Sequence, residues 1–138
     1  MKKRLLNTAF CYGILGLVAG AFYREFTKFI GFSGYTSLAF VHTHLLVLGM
    51  LVFLSLASFS LSADFTKNKY FKRFYCTYNT ALILTASMIF ARGIYEVLKL
   101  ESKALDASIS GLAGIGHIVL VVGVVFLFTS LKEAIKEK

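Results

Sequence analysis

Apolar positions dominate four stretches of the chain, and short polar clusters separate them. The stretches predict membrane spans from about Leu5 to Tyr23, Ser37 to Leu61, Phe74 to Leu98 and Ser108 to Leu131. Each is long enough to cross the hydrocarbon core, which takes about 20 residues of helix. The breaks fall at Gly31 to Gly34, Lys67 to Arg73 and Glu101 to Asp106. A transmembrane β-barrel would instead show short alternating segments of about ten residues and many turns. The pattern predicts an all-α integral membrane four-helix bundle, one domain over residues 1–138.

Composition agrees with this. Hydrophobic residues make up 57% of the 138, and charged residues only 16%, against about 25% in a soluble domain. That excludes an ordinary soluble enzyme. The net charge of +8 invites a nucleic-acid reading, but in a membrane chain Lys and Arg first report topology. The N-terminus, the second loop and the C-terminus together hold ten basic residues, Lys138 among them. The other side holds four: Arg24, Lys28, Lys99 and Lys103. Both termini are therefore expected in the cytoplasm, in an inner (cytoplasmic) membrane, with lipid and not nucleic acid as the partner. The basic start followed by Ala19-Gly20-Ala21 loosely fits a signal peptide. The apolar run exceeds the h-region of about 7–15 residues, so the segment is read as a span.

Cys11 and Cys76 fall near the cytoplasmic ends of their spans, where a disulfide is not expected. They read as small buried hydrophobes.

The three histidines, His42, His44 and His117, all lie within predicted spans. Ionisable residues there are costly and point to function. At about 1.5 Å per residue, His42 lies roughly 8 Å and His44 roughly 10 Å from the outer end of span two; His117 lies roughly 13 Å from that of span four. Two spans thus present imidazole at similar depth, as axial ligation of a heme between helices requires. His42 and His44 are about 200° apart around a helix and cannot share one metal. The bland alternative is three buried histidines bonded to backbone or hydroxyls.

Arg92 and Glu96 stand four apart near the outer end of span three. They read either as a local ion pair or with Arg92 facing inward to heme propionates. Gly16 and Gly20 have the spacing of a close helix seam. Gly111, Gly114 and Gly116 precede His117, for helix packing or to make room for a macrocycle.

The segment Phe40-Val41-His42-Thr43-His44-Leu45-Leu46-Val47-Leu48-Gly49 resembles the paired-histidine helix of the heme–copper oxidase catalytic subunit. There, each imidazole of His-x-His binds one of two hemes. That subunit is built from three arcs of four helices, and this chain resembles one arc. It also resembles a small bacterial four-span family of unknown function, with His-x-His and a Gly-rich helix like Gly114-Ile115-Gly116-His117. The resemblance implies heme b held by the paired histidines His42 and His44, with His117 on the Gly-rich helix a further candidate ligand in a span where the oxidase arcs do not place their main ligands, and a homo-oligomer, a trimer by the threefold plan. It does not extend to the copper site: the chain has no adjacent His-His and no His-x-x-x-Tyr. The function expected is a histidine-ligated b-type heme protein in electron transfer or redox and gas sensing. The alternative is a copper or zinc protein using the same histidines. Three ligand pairings stay open: His44 with His117 in one subunit, His42 with His44 across subunits, or His117 at a second site.

Overall fold

The computed structural model describes residues 1–62 and 65–136. Lys138, one of the ten basic residues counted above, lies outside them. Four helices are long and apolar enough to cross a membrane: α1 (Lys2–Ile30), α2 (Leu38–Ser62), α3 (Lys69–Val97) and α4 (Lys103–Lys136). The described residues contain no strand.

The helices outrun the expected spans, because charge ends an apolar stretch without ending a helix. α1 continues seven residues past Tyr23 through Arg24, Glu25 and Lys28, all compatible with helix. It stops at Gly31, whose φ of 70° is left-handed and suits glycine. There Gly31 N–H donates to the Lys28 carbonyl and Phe32 N–H to that of Thr27. α3 starts five residues before Phe74, at Lys69, because Asn68 caps it by accepting from Phe71 N–H at 2.9 Å. Ser37 and Leu38 open α2 where expected.

Within α2, residues Leu45–Leu51 adopt a π-helix. Such wide turns leave a misfit in the backbone ladder. Here the Tyr78 hydroxyl crosses from α3 and donates to the Leu48 carbonyl at 2.9 Å. Gly49 sits against Tyr12, and a Cβ there would lie 2.5 Å from the ring.

α1 packs along α2, α2 against α3, and α3 along α4, whereas α1 and α4 share no packed seam. The helices thus form an open row in chain order, not a closed bundle. Lipid removes the pressure to close it, since an apolar face turned to acyl chains is already in an apolar medium. Accordingly Phe10, Leu17, Ile118 and Val121 point outward. Glycines set the α1–α2 seam: Gly13 meets Met50, Gly16 meets Leu46 and Gly20 meets His42. Across α3–α4, Gly116 faces Thr85 and Gly123 faces Tyr78. The densest packing surrounds Phe53, which is fully buried among Tyr12, Phe74, Tyr75 and Tyr78, with ring centroids 5.8–6.0 Å away.

The start of α1, the α2–α3 connection and the end of α4 gather at one end of the row. Asn68 Nδ2 donates to the Ser130 carbonyl at 3.1 Å and Ser130 Oγ to that of Phe65 at 3.0 Å. This is the basic end. At the opposite end Tyr95 ties the α3–α4 connection by its hydroxyl to Ser102. Cys11 and Cys76 are free and exposed, not buried as expected. They sit on faces that the open row leaves uncovered.

Candidate functional site

An open row has two grooves. One lies between α2 and α4 over α3, near the end away from the termini. It encloses about 300 Å³ and is lined by Phe40, His44, Met88, Arg92, Ser110 and His117, among others.

His44 is the last α-helical residue of α2 before the π segment. Its Nδ1 lies 2.8 Å from the Phe40 carbonyl, four residues back. His117 repeats this on α4, with Nδ1 2.8 Å from the Ala113 carbonyl. A carbonyl only accepts, so Nδ1–H donates in both rings and Nε2 is the nitrogen left to a ligand. Histidine ligands to metals are commonly oriented in this way. The two ring centroids are 6.4 Å apart, with the planes at 90°.

His42 goes elsewhere. It faces α1, where its Cβ and Cγ lie 3.6 Å from the place a Cβ on Gly20 would take. Its Nδ1 is buried without a hydrogen-bond partner. The two-residue spacing therefore does separate the histidines to opposite faces of α2, and His44 and His117 alone are brought together.

Arg92 lines the same groove, but the local pair with Glu96 does not form. Its guanidinium pairs with the Asp106 carboxylate and donates to Ser110 Oγ, both on α4. Glu96 turns to α2 instead. It accepts from Ser37 N–H at 2.6 Å and Ser37 Oγ at 2.9 Å, which satisfies a helix N-terminus with a carboxylate. Both charges thus join helices rather than staple one. The glycines before His117 divide as well. Gly116 is a packing residue, with Thr85 Oγ1 2.6 Å from where its Cβ would stand, while Gly111 and Gly114 face open space. Sequence reasoning missed Asp106 and Ser110, whose only signal was a polar character at the start of α4.

A family model described as "Protein of unknown function" matches residues 1–134. The chain belongs to this family, DUF2871. The match takes in all four helices, so the histidine groove lies wholly inside it. No curated protein and no solved structure matches the chain.

Proposed function

We propose that this DUF2871 protein binds heme b through His44 and His117 of one subunit and works in electron transfer or redox and gas sensing. The pair's geometry carries the reading. A metal ion bonded at about 2.0–2.1 Å to one nitrogen of each ring puts the ring centroids about 6 Å apart. The 6.4 Å observed fits one ion shared by two imidazoles. Heme is favoured over a bare ion by the ligand count. Among the described residues no group of three His, Cys, Asp or Glu side chains could hold a metal, and zinc sites take at least three protein ligands. Heme iron needs only axial ligands from the chain. Gly111 and Gly114 leave the surface beside His117 bare, where a flat macrocycle has room. Arg92, already paired with Asp106, would stand beside its carboxylates. When bound, heme supplies one-electron chemistry, and two axial imidazoles suit a carrier while one suits a sensor.

His42 lacks the Nδ1 partner that His44 and His117 both have. That supports pairing within one subunit over pairing of His42 with His44 across subunits. The resemblance to one oxidase arc supports a homo-oligomer, a trimer by the threefold plan, and the distribution of basic residues supports a cytoplasmic membrane with both termini in the cytoplasm. A closed ring would repeat one contact between neighbouring copies.

One observation favours a second reading. Met88 lines the groove with both histidines, and a thioether with imidazoles suits copper(I).

The test is the absorption spectrum of the purified protein. A Soret band with split α and β bands after dithionite supports bis-imidazole heme. No band, with one copper per chain by elemental analysis, selects the second reading.

A further inference from the structure

The second groove of the row lies on the opposite face, between α1 and α3 with α2 as its floor. Two cavities that share Tyr12, Leu15 and Ile83 make it up, with volumes of about 680 and 460 Å³. Both fall in the range of ligand sites, about 300–1,000 Å³. The groove is polar at one end and apolar at the other. At the basic end its mouth carries Lys3 and Arg4, and Lys72 lines an adjoining cavity with Arg4 and Tyr75. Deeper, Tyr12 donates to Asn79 Oδ1 at 2.8 Å, and the Thr8 and Tyr75 hydroxyls bond at 2.7 Å. Beyond them the walls are Val18, Phe22, Ile83 and Phe90.

Tyr12, Asn79, Thr8 and Tyr75 are thus satisfied by one another, and the cations have no such partner. No acidic side chain is among the described residues that line these cavities. The Arg4 guanidinium lies 4.3 Å from the centroid of the Tyr75 ring. That contact steadies it and leaves its N–H groups to an anion. Cations at a membrane surface above an apolar channel match a phosphodiester head with an acyl tail.

We propose that the α1–α3 groove binds an anionic phospholipid, with its phosphate at Lys3, Arg4 and Lys72 and an acyl chain laid along Ile83 and Phe90. The site is separate from the histidine groove and independent of what that groove binds.

Native mass spectrometry of the full-length protein in detergent tests this with two added lipids, phosphatidylglycerol and phosphatidylcholine of equal chain length. The first should bind about tenfold tighter or more, since each basic residue near a membrane surface contributes measurably. A double variant, Arg4→Gln with Lys72→Gln, should erase that preference. The pair Lys132→Gln with Lys136→Gln, basic but outside the groove, should keep it. Ile83→Trp, filling the groove, should reduce retention of both lipids without changing helicity by circular dichroism. Equal binding of the two lipids by wild type would overturn the proposal. So would equal losses in the two charge pairs, an unchanged preference in the Arg4 and Lys72 variant, or full lipid retention by Ile83→Trp. A dimer that excludes lipid would also overturn it, by giving the groove to a second copy.

Discussion

The two grooves lie on opposite faces of one row of helices and treat their polar groups in opposite ways. In the α2–α4 groove the charges find partners across helices. Arg92 pairs with Asp106, and Glu96 caps α2 at Ser37. What is left over is a pair of imidazoles with ring centroids 6.4 Å apart, each with Nε2 left to a ligand. In the α1–α3 groove the neutral groups cancel, Tyr12 with Asn79 and Thr8 with Tyr75. What is left over is charge, at Lys3, Arg4 and Lys72. Groups left without a partner where a ligand can reach them point to what each groove holds. Lone pairs suit a metal centre, and cations suit an anion.

The largest expected effect separates the grooves outright. His44→Ala and His117→Ala should each abolish the heme spectrum, while His42→Ala should keep full heme content. All three should bind lipid as wild type does. Heme loss in His42→Ala with retention in His117→Ala would move the pair to the subunit boundary. Retention in all three would remove the histidine reading.

A second pair of variants loosens one seam at a time. Gly116→Val drives a side chain into Thr85 Oγ1 and toward the Thr85 backbone, which lies 3.3–3.4 Å from the added Cβ. Overpacking of this kind costs about 1–3 kcal/mol. It should push α4 off α3 and lower heme content, with lipid selectivity intact. Gly16→Val meets Leu46, whose Cγ and Cδ2 both lie 2.7 Å from the added Cβ, with the His42 carbonyl oxygen at 3.4 Å. It should cost a similar amount, and its effect should fall on the α1–α3 groove. Thermal melts in detergent, read beside heme and lipid content, check both. Equal heme loss in the two variants would mean that the grooves are not independent.

Tyr78→Phe tests the π segment that underlies both grooves. Losing the bond to the Leu48 carbonyl should cost about 1 kcal/mol, in the range of interhelical hydrogen bonds in membranes. If the segment orients His44, the variant should also shift the reduced α band without loss of heme. A change in melting alone would make Tyr78 a plain support for α2.

Much of this was legible in the sequence, and the misses share a cause. The four spans, the diverging His42 and His44, and the Gly16 and Gly20 seam follow from periodicity within a single helix. The pairings of Arg92 with Asp106 and Glu96 with Ser37 depend on which helices become neighbours, and no spacing within α3 encodes that. The end of α1 was placed too early and the start of α3 too late, because Arg24 and Arg73 mark the edges of the apolar runs and not of the helices. The π segment had only Gly49 as a trace. Neither the open row nor the α1–α3 groove could be read from spans that all looked alike in apolar content. The exposed Cys11 and Cys76 follow from the same openness.

The smallest expected effect concerns Arg92, and its sign matters more than its size. The side chains of Arg92 and Asp106 are 24% and 47% exposed, so solvent screens their pair, and breaking it should cost no more than about 1 kcal/mol. Arg92→Gln should therefore fold and bind heme. Its effect should appear in the midpoint potential. Removing a cation near the iron favours the ferric state, so the potential should fall, by about tens of millivolts at the effective dielectric of such sites. Asp106→Asn removes the anion and should raise the potential by a similar amount. The double variant should return close to wild type. A redox titration of the three proteins reads all of this. Shifts of one sign in both single variants, or none in either, would place the iron away from Arg92 and the groove it lines.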